Sequence, residues 1–184
     1  MKLSELFENF YVKCSGFPAF VKLEDRNILT DNSIRVFLST NSPAIMAERA
    51  INTYYAPVIP RGSIFKTADE ILNADLSVNK VTVHFVTDIS RDDHVLICSR
   101  HAEAVEVLKL MFPNGRVQSS ISQKAIEGMK VVGTLPPHLI QFCDGYKAVT
   151  IRRSVRDMNG NVIKEELMDR IQLHRSISVD VSSL

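Results

Sequence analysis

Two short stretches of this chain put phosphate-binding and proton-transferring side chains directly behind apolar runs. Cys98-Ser99-Arg100-His101 follows Val95-Leu96-Ile97, and Gly133-Thr134-Leu135-Pro136-Pro137-His138 follows Val131-Val132. Arginine presents a planar fork of donors that matches a phosphate. The histidine beside it titrates near neutrality, so it can take or give a proton. If the two apolar runs are parallel strands of one sheet, both turns open at its carboxyl edge, where open α/β sheets bind their ligands, and Arg100, His101, Thr134 and His138 converge on one crevice.

Each of these residues also has a purely structural reading. The helix expected after Arg100-His101 sends Ala104, Val105, Leu108, Met111 and Phe112 to the core, which turns its first N–H groups toward the crevice as an anion site. Position alone leaves a ligand role and a structural role equally open. Ser99 and Thr134 fit helix caps as well as ligand contacts. His138, just inside a Pro-Pro helix start, fits a capping or packing role. Gly133 marks a close approach of its backbone to a ligand or to the neighbouring helix. Arg152, Arg153 and Arg156 fall within five positions, a cluster that suits a phosphate or a solvated face.

The elements that would position these residues follow from periodicity. Apolar residues at Leu3, Leu6, Phe7 and Phe10 predict a short amphipathic helix in the segment Leu3–Val12, Ala19–Leu23 a strand, Asp25-Arg26-Asn27 a turn and Ile34–Leu38 a second strand. Ser42-Pro43 opens a helix reaching about Asn52, with proline where its missing N–H costs little. Thr67-Ala68-Asp69-Glu70 is spaced as a capping box before another short helix. Lys80–Val86 alternates as a half-buried strand. Ser90-Arg91-Asp92-Asp93 is a charged break, read as the boundary between an α+β region of unknown role, residues 1–93, and a ligand-binding domain, residues 94–184.

Beyond that break strands and helices alternate: strand His94–Cys98, helix Ala102–Phe112, strand Arg116–Ser119, helix Ser122–Glu127, strand Met129–Gly133, helix Pro136–Phe142, strand Lys147–Ile151. This rhythm predicts an α/β fold of Rossmann-like type, a mostly parallel sheet with flanking helices. Asn159-Gly160 signals a hairpin turn. Glu165–Leu173 is expected as a last helix, which would put His174 near its carboxyl end, and Ser176–Leu184 as a strand or a tail. A weak echo joins Arg35–Ser39 and its following helix to His94–Cys98 and its own.

The 184 residues are 45% hydrophobic and 23% charged, ordinary for a soluble globular protein, with a net charge of +1. The charge divides as −2 over residues 1–93 and +3 over residues 94–184. That is too weakly basic to coat long nucleic acid, and a small anion suits it better. Cys14, Cys98 and Cys143 are an odd number without CxxC spacing, which argues for free thiols in a reducing cytoplasm. No signal peptide or membrane span is indicated. P-loop, GxGxxG, GxSxG and HExxH patterns are absent, and the five histidines lack ligand-pair spacing, so neither a metal nor another cofactor is expected.

The run Leu96-Ile97-Cys98-Ser99-Arg100-His101-Ala102-Glu103-Ala104, followed by Gly128-Met129-Lys130-Val131-Val132-Gly133-Thr134-Leu135-Pro136-Pro137-His138-Leu139, resembles the Csx-sixteen family of small CRISPR-associated proteins. The resemblance spans residue 94 to about 151; the family has Pro-Gly where Ala102-Glu103 stands. It implies a role in type III CRISPR signalling as a ring nuclease, which removes the cyclic oligoadenylate messenger, most readily the tetra-adenylate. On that implication Arg100 neutralises a phosphate and His101 serves as general acid or base. Ser99 and the opposite wall of Gly133, Thr134, Leu135 and His138 contact the ligand, and Arg152 and Arg153 hold flanking phosphates. A homodimer would grip such a ring most simply. A non-catalytic binder of the same ring, and an interaction protein whose turns are only structural, stand as alternatives.

Overall fold

The computed structural model describes residues 1–29, 33–60, 62–99, 102–118, 121–151 and 168–183. Arg100, His101, Arg152, Arg153, Arg156 and the Asn159-Gly160 turn therefore lie outside the described residues. The chain forms two compact units, one of Met1–Val83 with Val179–Leu184 and one of His84–Ser178. Both are mixed α/β.

In the first unit the strands β1 (Tyr11–Ser15), β2 (Arg35–Ser39), β3 (Thr53–Pro57) and β4 (Val78–Phe85) lie side by side in that order. The first three are parallel and β4 runs antiparallel to β3. Helices α1 (Leu3–Asn9), α2 (Pro18–Val21) and α4 (Ala68–Ala74) cover one face, where Leu6, Phe20 and Ile71 bury against Val12, Leu38 and Tyr55. Phe20 meets Phe65 edge to face, ring centroids 6.4 Å apart, the arrangement that aromatic quadrupoles favour. Helix α3 (Pro43–Glu48) is capped by the Ser42 hydroxyl, and Thr67 caps α4 by accepting from the Glu70 N–H at 3.2 Å.

Two expectations for this unit fail. Ala19–Leu23 is not a strand but α2 followed by a 3-10 turn, Lys22–Arg26. Pro18 starts a helical turn readily, and the helical conformation buries Ala19, Phe20 and Leu23 together. The first helix stops at Asn9 rather than running on toward Val12, and Tyr11–Ser15 forms β1 because the chain turns extended at Phe10 and presents Val12 to the core. As a sheet edge β1 is closed by side chains. The Asn27 amide both accepts from the Val12 N–H at 2.7 Å and donates to its carbonyl at 2.9 Å, and Glu24 takes the Cys14 N–H at 3.0 Å. These groups stand where another strand would pair.

In the second unit the sheet order is β6 (Arg116–Val117), β5 (Leu96–Cys98), β7 (Lys130–Gly133), β8 (Gly145–Ile151) and β9 (Ile171–Ser183), the last continuing into the first unit. The first four are parallel and β9 is antiparallel to β8. Residues Leu96, Ile97 and Cys98 are all buried, as their unbroken apolar run requires of a parallel strand covered on both faces. Helix α5 (Ala102–Met111) packs Leu108 and the following Phe112 on Ile97 and Val132. Its buried side chains are Ala104, Val107 and Leu108, with Val105 only half-buried. The short helices α6 (Gln123–Ile126) and α7 (Pro137–Ile140) precede β7 and β8.

The expected final helix is corrected: of its described residues only 168–170 are helical, and from Ile171 the chain is a 13-residue strand. His174 consequently sits buried within β9, its Nε2 2.9 Å from the Thr150 hydroxyl, rather than near a helix end. The charged break Ser90–Asp93 lies inside the second unit, in a connection pinned by Asp88 and Asp93. The buried Lys147 ammonium donates to Asp88 Oδ1, which also accepts from the Ser176 N–H at 3.0 Å and hydroxyl at 2.8 Å. Lys130 pairs with Asp93 at 2.9 Å. Among the described residues no helix is long and apolar enough to cross a membrane.

Candidate functional site

The carboxyl ends of β5 and β7 meet where the strand order reverses: β5 leads through α5 to β6 on one side, and the chain returns through α6 to β7 on the other. At such a point the connections leave in opposite directions and open a crevice. A cavity of about 180 Å³ lies there, lined by Ser99 and Thr134 at the strand ends, Ala104 and Leu108 of α5, Gly133, and Val149 and Ile151 of β8. Three expected ligand contacts, Ser99, Gly133 and Thr134, thus come together.

Gly133 is the joint of this arrangement. Its φ is +138°, and a Cβ there would stand 1.8 Å from the Cys98 carbonyl oxygen and 2.7 Å from its carbon. The close approach at this glycine is to the backbone of the adjacent strand. With the two backbones in contact, the Thr134 N–H donates to the Cys98 carbonyl at 2.8 Å, one step beyond the Cys98–Gly133 register pair. The Thr134 side chain is left exposed at the cavity. It does not cap α7, whose N-cap is Pro136.

Tyr146 locks the turn from the other face. It is 1% exposed, donates its hydroxyl to the Gly133 carbonyl at 2.8 Å and accepts from the Leu135 N–H at 3.1 Å. Burial raises its phenol well above the ordinary value, so it acts as a neutral donor. Leu135 is buried with its N–H committed to Tyr146, and it does not line the cavity. His138 is exposed on α7 and does not line it either; its carbonyl accepts from the Gln141 amide at 2.8 Å.

The sequence reading missed Tyr146 and the apolar floor of Leu108, Val149 and Ile151. Tyr146 falls in the run Gly145–Ile151, whose alternation was expected to begin only at Lys147. A tyrosine in such a run looks like any strand aromatic, and its partner groups belong to backbone atoms 11 and 13 residues away. Nor does Cys98 offer a nucleophile. Burial pushes its thiol up to about 11, and burial together with Cys98 pushes Cys143 up to about 12. Reactive cysteines have depressed values. Among the described residues no group of three His, Cys, Asp or Glu gathers to hold a metal ion.

No family model, curated protein or solved structure matches this chain.

Proposed function

We propose that the second unit is a Rossmann-like ring nuclease domain that binds a cyclic oligoadenylate at the carboxyl edge of β5 and β7, in keeping with the Csx-sixteen resemblance. The observation that carries this reading is the cavity at the reversal of strand order, whose lining residue Ser99 directly precedes Arg100-His101 in the chain. RNA carries its own nucleophile, so the protein's task is alignment, charge neutralisation and proton movement. A ribose 2′-hydroxyl attacks the adjacent phosphorus, the bond to the leaving 5′-oxygen breaks, and the products are a 2′,3′-cyclic phosphate and a 5′-hydroxyl. Arg100 neutralises the phosphate. His101 takes the 2′ proton or supplies one to the leaving oxygen.

A cavity of about 180 Å³ is smaller than the ~300–1,000 Å³ that shelters a whole drug-sized ligand, so one protomer holds only part of such a ring. A two-fold dimer, in which each protomer supplies one cavity, answers that shortfall. The test is incubation with cyclic tri-, tetra- and hexa-adenylate in EDTA, followed by chromatography and mass spectrometry. Linear products ending in a 2′,3′-cyclic phosphate are expected from the preferred ring, and His101→Ala slows single-turnover cleavage by ~10²–10⁴-fold.

A binder that does not cleave is the second reading. It predicts intact ring after denaturation. Failure to bind all three rings removes both readings and leaves an interaction protein.

A further inference from the structure

We infer that the cavity between α5, β7 and β8 receives the heterocyclic base of one nucleotide, an adenine, and leaves the phosphates at its mouth. The inference rests on the cyclic oligoadenylate reading for the identity of the ligand and goes beyond it in assigning which part enters. The floor and walls are Ala104 and Leu108 from α5 with Val149 and Ile151 from β8, all apolar. Both strand residues stay half-buried, so their side chains offer contact surface inside the cleft. Among the described lining residues the polar side chains are Ser99 and Thr134, both hydroxyls.

A phosphate packed against Ala104, Leu108, Val149 and Ile151 would exchange its hydration for hydrocarbon. An anion desolvated without a paired cation is strongly disfavoured. A purine loses little by the same transfer. Its flat apolar faces pack against Leu108, Val149 and Ile151, and its edge amine and ring nitrogens find in the Thr134 hydroxyl a group that both donates and accepts. Size agrees: about 180 Å³ is below the ~300–1,000 Å³ of a site that shelters a whole drug-sized ligand, which suits one base better than a whole nucleotide ring. The close contact at Gly133 fixes Thr134 beside Cys98, with its exposed side chain lining the cavity.

The experiment is methyl NMR of the full chain, titrated separately with adenosine, inorganic phosphate and cyclic tetra-adenylate at up to millimolar concentration. Adenosine should shift the methyl signals of Ala104, Leu108, Val149 and Ile151, and inorganic phosphate should leave them in place. Thr134→Val, an exposed site that keeps the shape and removes one hydroxyl, should weaken adenosine binding about fivefold, the worth of one neutral hydrogen bond. Ala104→Leu, which fills the space, should weaken it on the order of tenfold or more, with the amide spectrum checking that the unit is folded. Phosphate shifting these methyls while adenosine does not would overturn the assignment. So would cyclic tetra-adenylate binding with the four methyls unmoved, in which case the ligand reading stands and the base pocket falls. Adenosine shifting them while no cyclic oligoadenylate binds would keep the pocket and remove the ring nuclease reading.

Discussion

Replacing Gly133 by alanine tests the geometry on which the whole site depends. Two separate penalties apply. A φ of +138° is a conformation that residues with a Cβ rarely adopt, worth about 1–3 kcal/mol. The new methyl would also lie 1.8 Å from the Cys98 carbonyl oxygen, backbone that cannot swing aside, so β5 and β7 must part, at about 1–3 kcal/mol for an overpacked core. The central expectation is about 4 kcal/mol, which lowers Tm by about 8–16 °C for a chain of this length.

Two other glycines serve as controls for the same calorimetric or circular dichroism melt. Gly128 has φ +68° with nothing within 4 Å of a built Cβ, so Gly128→Ala carries only the backbone penalty, about 1 kcal/mol. A Cβ on Gly145 meets its nearest atom at 3.7 Å, ordinary contact, and Gly145→Ala should be close to neutral. The ordering Gly133 far above Gly128 above Gly145 is the prediction. If Gly133→Ala and Gly145→Ala melt together, the close approach of β5 and β7 does not hold the site and the argument fails.

Three further expectations follow from other contacts. The Asp88 carboxyl is raised by partial burial but lowered more by hydrogen bonds from Lys147 and Ser176, so its net folded value lies below the ordinary one. A depressed carboxyl stabilises the fold above its unfolded value of about 3.9, and that stability is lost as pH falls through the folded value. Urea melts of wild type should therefore weaken below about pH 4, and Asp88→Asn should flatten that acid limb while lowering stability at pH 7; an unchanged acid limb would refute the pairing. Asn27→Ala removes both bonds to Val12 and opens the β1 edge, so amide exchange at Val12 should accelerate, about 1–3 kcal/mol of local protection being lost, and protection equal to wild type would contradict the edge-closing role. With the Cys98 thiol pushed up to about 11, only about one part in a thousand is thiolate at pH 8, and iodoacetamide should leave Cys98 largely unmodified in the folded protein; rapid alkylation detected by mass spectrometry would contradict it.

Local chemistry made the second unit legible and the first unit less so. In residues 94–151 the central strands β5 and β7 are short apolar runs, and the alternation of strands with helices permits few arrangements other than a parallel sheet with crossovers. The carboxyl-edge position of Ser99, Gly133 and Thr134 could be inferred for that reason. In the first unit the competing patterns were closer: Ala19–Leu23 is equally apolar as a strand or a helical turn, and only burial against Val12 and Leu38 selects the helix. The expected final helix failed for a related reason, since from Ile171 the antiparallel ladder with β8 offers hydrogen bonds that no local pattern announces.

Residue type marked Gly133 as a place where backbones come close, because only glycine tolerates the conformation. It could not say what comes close. That the neighbour is the Cys98 carbonyl, that Tyr146 pins the same turn from behind, and that Leu108, Val149 and Ile151 floor a cavity while Leu135 and His138 stand outside it were decided by the tertiary structure. The physical reason is distance along the chain. A strand's period of two tells which side chains share a face, but which face meets which helix, and which backbone atom a phenol reaches, depends on strand order and register, and those are set by packing of the whole sheet.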